Sequence, residues 1–419
     1  MYTGAFAELS KNDILYNLLK LPQLIFEVTD MCNLRCKYCG YADLYEGYDK
    51  RENLKFPFIH AKHIIDYIHT LWYENYSTGV TMPFTVSFYG GEPLLNIPFI
   101  EQVIEYIESL PFAGRKIHYN MTTNAMLLDK YMDFLVDKKF HLLISLDGDE
   151  EGHSYRIDVS GKNSFTKVFR NIKLLQEKYP KYFEQYVMFN SVLHNKNSIE
   201  GIFRFIKDTF RKVPTISPLN NSGIRADKIE EFKKVYSNYI DSINKADDCE
   251  KLKNELFIKA PEINEVMKFL YYRTNNTYAK YNGLLLNRRN IQQLPTGTCT
   301  PFSKKMFITV KGRILQCEKI NHEFALGRVT NEGVKLDYEA IAKQHNDYVF
   351  RYAKQCEKCG NRTACMQCVY QIDDIHDPNT RCHGFCTETQ KEKQNEQCLR
   401  YLSKHPELYK RLLNEVVIR

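Results

Sequence analysis

The stretch Met31-Cys32-Asn33-Leu34-Arg35-Cys36-Lys37-Tyr38-Cys39-Gly40 decides how this chain reads. It spaces three cysteines as C-x3-C-x2-C, directly after a short apolar run at residues 24–29. Thiolates are soft ligands that suit iron–sulfur centres. Three of them on one tight loop can hold three irons of a [4Fe–4S] cluster. The fourth iron then has no protein ligand and is open to a small molecule.

Outward from this loop, β-like runs alternate with amphipathic helical patterns as far as residue 220. The strand candidates are residues 24–29, 84–89, 116–123, 141–147, 186–193 and 215–219. Between them, Phe99, Ile100, Val103, Ile104 and Ile107 recur at helical spacing after Pro98, which suits a first helical position. Phe165, Val168, Phe169, Ile172 and Leu175 do the same, as do Ile199, Ile202, Phe203, Ile206 and Phe210. Six β-then-α units predict an α/β fold with a parallel sheet, either a partial barrel or an open doubly wound sheet. Strand residues two apart share a face. Asn120, Thr122 and Asn124 share one, as do Ser145 and Asp147, and Asn190 and His194. Polar faces on three strands favour a barrel with a polar lumen, whose site lies at the carboxyl ends of the strands. The cysteine loop, Gly90-Gly91-Glu92-Pro93, Thr122-Thr123-Asn124 and Ser145-Leu146-Asp147-Gly148 all fall at that end.

The 419 residues are 43% hydrophobic, enough for a large core and two domains. Lys and Arg number 58 against 51 Asp and Glu, a net +7 that does not argue for nucleic acid. No apolar run approaches the roughly 18 residues of a membrane span, and the N-terminus lacks the layout of a signal peptide. A cytoplasmic protein is expected. Thirteen cysteines, an odd number in metal-ligand spacings, then read as metal binding rather than disulfides.

At the cysteine loop, including Tyr38 before the last cysteine, the chain resembles the radical S-adenosylmethionine (SAM) enzymes. Phe88-Tyr89-Gly90-Gly91-Glu92-Pro93 matches that family's glycine-glycine-glutamate segment. The resemblance implies a partial (β/α)6 TIM-like barrel over residues 1–220. It also implies S-adenosylmethionine on the open iron, cleaved after one-electron reduction to methionine and a 5′-deoxyadenosyl radical. Gly90 and Gly91 would let the backbone approach the ligand, and Glu92 would take its amino group. Ser145 and Arg156 match cofactor-contacting positions of relatives, Tyr38 would serve the adenine, and Asn124 joins the cofactor-facing set.

Residues 221–295 read as a charged, Tyr-rich helical connector, clearest at 228–245 and 261–272. Beyond it come Cys299, a predicted hairpin with Gly312 at its turn, and Cys317. Then follow Cys356-x2-Cys359-x5-Cys365-x2-Cys368, Cys382-x3-Cys386 and Cys398. Here, over residues 296–390, the chain resembles SPASM domains, small α+β modules of peptide- and protein-modifying radical enzymes. That resemblance implies two auxiliary [4Fe–4S] clusters, three clusters in all. Cys299, Cys317 and Cys368 would serve one, with Cys386 or a substrate group as its fourth ligand. Cys356, Cys359, Cys365 and Cys382 would hold the other. The x2 interval before Cys368 departs from the pattern's x3, and Cys382 and Cys386 compete as the closing ligand. A structural zinc site on Cys356, Cys359, Cys365 and Cys368 is the alternative, although zinc ribbons separate their pairs by about 15–20 residues. Cys249 and Cys398 lie outside the pattern. In sulfatase-maturing relatives an acid after the equivalent of Cys317 acts as a base, which would make Glu318 catalytic. Residues 391–419 read as two amphipathic helices.

The resemblance is to bacterial maturases of ribosomally made peptides. It implies a precursor peptide, an electron donor such as flavodoxin or ferredoxin, and a cross-link (thioether or C–C) or related modification. About twenty residues precede the first strand, so leader recognition is expected from a separate partner protein or from a domain ahead of this one. The alternatives are a formylglycine-forming sulfatase maturase and a non-enzymatic zinc-binding interaction protein.

Overall fold

The computed structural model describes residues 6–75, 83–112, 114–274, 294–362, 365–377 and 379–416. They form two compact units. The first comprises residues 10–245 and 299–342, and the second is drawn from the described residues of 1–9, 246–298 and 343–419.

The first unit is built on a ten-stranded sheet. Its strands are β1 (Gln23–Glu27), β2 (Phe84–Tyr89), β3 (Ile117–Thr123), β4 (His141–Ser145), β5 (Val187–Leu193), β6 (Thr215–Pro218), β7 (Met306–Ile308), β8 (Arg313–Leu315), β9 (Gly327–Thr330) and β10 (Gly333–Leu336). Their order is β10-β9-β8-β7-β1-β2-β3-β4-β5-β6. β1 to β6 are parallel neighbours in strict chain sequence. A doubly wound sheet reverses its strand order at a switch point. No reversal occurs between β1 and β6, so right-handed crossovers place the helices on one face and the other face lines a lumen. The partial barrel is therefore the correct alternative.

The helices of this layer are α1 (Lys11–Leu19), α2 (Phe58–Glu74), α3 (Ile97–Glu108), α4 (Leu128–Asp137), α5 (Phe165–Lys178), α6 (Pro180–Tyr186) and α7 (Ile199–Phe210). The apolar residues expected on α3, α5 and α7 are the ones buried, apart from Phe165 and Phe169. α1, which the sequence pattern does not reveal, starts with a capping box between Ser10 and Asp13. On β3, Tyr119, Met121 and Thr123 are buried, whereas His118, Asn120 and Thr122 stay partly exposed. This alternation is the polar lumen face predicted from period two.

The β7–β8 hairpin forms as expected, yet β7 pairs in parallel with β1, Leu24 opposite Met306. Residues 299–342, expected in the C-terminal module, thus extend the barrel sheet. The connector is helical at Ile229–Val235, Tyr239–Asn244, Cys249–Leu256 and Pro261–Thr274, and residues 275–293 lie outside the described set. The expected helix over 228–245 is broken at Tyr236, whose backbone is extended. The two C-terminal helices are Glu388–Lys404 and Pro406–Glu415. No helix among the described residues is long and apolar enough to cross a membrane.

Candidate active site

The cysteine loop leaves the carboxyl end of β1 and is clamped on two sides. On one side, the Gly91 amide donates to the Thr29 carbonyl at 2.9 Å and the Glu92 amide to the Met31 carbonyl at 2.8 Å. Gly90 has φ +135°, and a Cβ on Gly91 would lie 1.9 Å from the Met31 carbonyl oxygen. The glycine pair is thus required by contact with the backbone that enters the cysteines. On the other side, Arg35 donates to the Ile157 carbonyl at 2.7 Å and Lys37 to the Tyr155 carbonyl at 3.1 Å.

The three thiols are partly buried. The Cys32 sulfur accepts from the Leu34 amide at 3.4 Å and from Asn124 Nδ2 at 3.8 Å. Burial, with the neighbouring thiols adding, pushes Cys32 up to about 11 and Cys36 up to about 12. Such thiols ionise against a bound cation, and metal binding then releases their protons. Among the described residues, no three His, Cys, Asp or Glu side chains converge on a single metal ion. A multi-iron cluster takes its thiolates at separate corners. Buried polar atoms without partners also gather beside the loop: Arg51 Nε and Nη2, and the Tyr41 hydroxyl. The loop fits a negatively charged cluster.

Glu92 is buried and already accepts three hydrogen bonds. Its Oε1 takes Thr123 Oγ1 at 2.7 Å and the Leu94 amide at 3.1 Å, and its Oε2 takes the Asn124 amide at 2.8 Å. Burial raises it to about 7 despite those donors. It ties β2 to β3 as well as facing the site. Asn124 Nδ2 also donates to Asn33 Oδ1 at 2.8 Å, so it touches the cysteine loop directly.

Arg156 is paired to Asp147 through Nε at 2.8 Å and Nη2 at 3.1 Å, both side chains buried. Asp147 also accepts from the Tyr38 hydroxyl and from the Val192 amide at 2.9 Å. Burial works to raise Asp147, but the Arg156 charge and these hydrogen bonds outweigh it and hold the carboxyl below its ordinary value. The Tyr38 ring stacks on His194 with centroids 5.5 Å apart. Tyr38 and Arg156, both expected at the cofactor, thus form one network with Asp147 and His194. Ser145 lies beside Asn190 in the strand register, inward-facing and nearly buried.

Residues 26–208 match the radical SAM superfamily. Over that span, 183 of the 419 residues, the chain carries a radical SAM domain. It is 30% identical over 211 residues, 48% of its length, to the cysteine-type anaerobic sulfatase-maturating enzyme of Clostridium novyi, and covers 53% of that protein. It is 27% identical over 179 residues to the radical SAM cyclopropyl synthase TigE of Paramaledivibacter caminithermalis, covering 42% of this chain and 35% of that one. These alignments span about half of the first relative and about a third of the second. In fold, it resembles native anSMEcpe with bound AdoMet and Cp18Cys peptide, with TM-score 0.57 and 18% identity, covering 94% of this chain and 99% of that one.

The radical SAM barrel carries a second polar group near its cysteine loop. Glu318, next to Cys317, accepts from Lys305 Nζ through both oxygens at 3.1 and 3.0 Å. Burial would raise this carboxyl, but Lys305 outweighs it and keeps Glu318 below its ordinary value. Burial raises the Tyr48 phenol, and Cys317, Glu318 and Cys39 add to the shift. Tyr89 is raised in the same way, with Glu318 and Cys39 acting on it after burial. The two tyrosines therefore lie in the fields of both Cys39 and Glu318. No sequence signal singled out Tyr48; its ring meets Tyr41 at 5.0 Å and His322 at 5.3 Å. Cys299 belongs to the same unit, and its carbonyl accepts from Gln316 Nε2 at 3.0 Å.

In the second unit, Cys356, Cys359, Cys365 and Cys382 line one small cavity with Thr296, Arg362 and Phe385. Cys386 does not line it. Its amide donates to Cys359 Sγ at 3.5 Å and its thiol to the Thr387 carbonyl at 3.4 Å. Cys368 belongs to this unit but is also outside the cavity lining.

Proposed function

We propose that this radical SAM enzyme modifies a ribosomally made peptide, by hydrogen abstraction that leads to a thioether, a C–C cross-link or a related change. The observation that carries this reading is that Glu318, held by Lys305 at 3.0 and 3.1 Å, acts together with Cys39 on both Tyr48 and Tyr89. Two further points support it. The C-terminal cysteine spacing resembles SPASM modules, and the solved anSMEcpe structure holds a peptide.

When bound, the first cluster and S-adenosylmethionine supply a 5′-deoxyadenosyl radical. Cys32, Cys36 and Cys39 would hold that cluster. Cys356, Cys359, Cys365 and Cys382 would hold an auxiliary one, and Cys299 and Cys317 would serve a third. Glu92 and Asn124 orient the cofactor end of the barrel, with Gly90 and Gly91 keeping the loop seated. Arg156 and Tyr38, fixed by Asp147, form the facing wall, with Ser145 inward on β4. Glu318, kept ionised by Lys305, takes a proton from the substrate. A flavodoxin or ferredoxin would supply the electron.

A second reading is sulfatase maturation, favoured by the Clostridium novyi relative. One experiment separates the outcomes. Anaerobically reconstituted protein, reduced and given S-adenosylmethionine, should form 5′-deoxyadenosine; if none forms, both readings fail. A cysteine-containing sulfatase peptide converted to the aldehyde would select the second reading over the first.

A further inference from the structure

Beneath the cysteine loop lies a positive charge that the proposed chemistry does not use. Arg51 Nη1 donates to the carbonyl of Asp30, two residues before Cys32. Its guanidinium carbon stands 4.0 Å from the ring centre of Tyr41, two residues after Cys39. A Cβ on Gly91 would come within 2.9 Å of the same Nη1. One side chain is therefore wedged between the entry of the three-thiol loop, its exit, and the glycine pair that clamps it.

Arg51 Nε and Nη2 are shut off from solvent and have no acceptor. A guanidinium does not lose its proton in a protein, so unmet donors on a buried one are costly unless a nearby negative charge offsets them. The neighbouring acids are engaged elsewhere. The Asp30 oxygens accept the amides of Leu54 at 2.6 Å and Glu52 at 2.7 Å. Asp49 is held by Arg313 and His322, each at 3.1 Å. Glu27 accepts the Val310 amide at 2.9 Å. No acid accepts from Arg51 Nε or Nη2, Glu27 acts on it only through its field, and the loop adds further negative charge once its thiols ionise around a cluster. Three thiolates on a [4Fe–4S] core carry net negative charge, and reduction adds one more.

We propose that Arg51 is the cation that offsets the charge of the cluster on Cys32, Cys36 and Cys39 and thereby sets its reduction potential. The proposal rests on the radical SAM reading of the loop. Charge near a cluster is one of the protein's means of setting potential. A fixed cation favours the more negative, reduced state, so its removal makes the cluster harder to reduce.

The test is a redox titration of the full-length reconstituted protein, followed by electron paramagnetic resonance. The first cluster's signal is identified by its loss in a Cys32→Ala, Cys36→Ala, Cys39→Ala protein. Arg51→Met keeps most of the stem and removes the charge. At a fixed solution potential its ratio of reduced to oxidised cluster should fall at least tenfold, 59 mV for one electron. Arg51→Lys keeps the charge and should stay within threefold of wild type. Iron content and Trp72 fluorescence report loading and folding for each variant. If Arg51→Met loads poorly, Arg51→Gln, which retains donors without charge, takes its place and should show the same tenfold fall. An unshifted potential in a fully loaded neutral variant would overturn the proposal, as would an equal shift in Arg51→Lys. A wild-type loop that takes up no cluster would instead refute the reading beneath it.

Discussion

Replacing Asp147 by asparagine should be among the most damaging single changes in the barrel. Asp147 is fully buried and accepts from Arg156 twice, from the Tyr38 hydroxyl and from the Val192 amide. Asparagine has nearly the same shape but no charge, and it turns one acceptor into a donor. Arg156, whose side chain is only 8% exposed, then stays charged without its partner. Breaking a buried pair from one side costs about 3–5 kcal/mol. Trp72 is the only tryptophan, and it lies buried on α2 with its indole N–H bonded to the Leu18 carbonyl at 2.9 Å. Its fluorescence therefore follows unfolding of this unit. With a urea slope of about 3 kcal/mol/M, the midpoint should drop by about 1–1.7 M. Arg156→Met alone should cost a similar amount. The double variant should cost less than the sum by about 1–3 kcal/mol, since each single change strands the other group. The pH dependence has a definite sign. The folded carboxyl is depressed, so its stabilisation is present above the ordinary Asp value and disappears as pH falls through the lower, folded one. Between pH 5 and 8 the difference between wild type and Asp147→Asn should be flat. A loss below about 1 kcal/mol, or strict additivity in the cycle, would refute the account of this network.

Other outcomes are equally specific. Gly91→Ala forces a methyl group against the Met31 carbonyl, a backbone atom that cannot swing aside, so the first loop should lose its iron while the second unit keeps its own. Cys382→Ser should remove about four irons per chain, whereas Cys386→Ser should leave the iron count unchanged; the reverse result would move the closing ligand. Glu92 sits at about 7 when buried. The ligand-free barrel should therefore lose about 3 kcal/mol as pH rises from about 4.5 to 7, because the unfolded chain gives up that proton first. Urea midpoints of Glu92→Gln across that range should show a correspondingly flatter slope.

Much of this was legible because two periodicities are strong. Period two on β3 and β5 separates wet from dry faces, and the helical spacing on α3, α5 and α7 picks out the buried stripe. The three-cysteine loop and the glycine pair could be read because few residue types serve there. What escaped reading depends on pairing between distant segments. β7 is only three residues long, and its parallel partner lies about 280 positions earlier, so local pattern could not assign it to the barrel. Asp147 could be seen as a lumen residue, but not as the hub that ties Tyr38 to Arg156. The glycine pair was read as serving a ligand, whereas its tightest contacts are with the chain's own carbonyls. Nothing in the sequence marked Arg51, because the burial of its Nε and Nη2 is a property of the fold.

The segment that carries Arg51 also explains how the cysteine loop is held without regular structure. Residues 44–52 run from the end of β6 to the β7–β8 hairpin. The Tyr45 hydroxyl donates to the Asn220 carbonyl at 2.8 Å, and the Glu46 amide to Gly223 at 2.9 Å. At the other side the His322 amide donates to Gly47 at 2.9 Å, Asp49 pairs with Arg313, and Glu52 pairs with Lys311 at 2.9 Å. Gly47 has φ +94°, and a Cβ there would meet the Asn321 side chain within 3 Å. β6 is an edge of the sheet and the β7–β8 hairpin lies inside it, so this strap ties the β6 edge to strands that do not pair with it. Hydrogen bonds to loops on either side are each worth about 1 kcal/mol. Together they give the thiols a fixed position without any strand or helix of their own. A cluster site needs that placement to be set before the metal arrives, because thiols that wander would have to be ordered at the expense of binding.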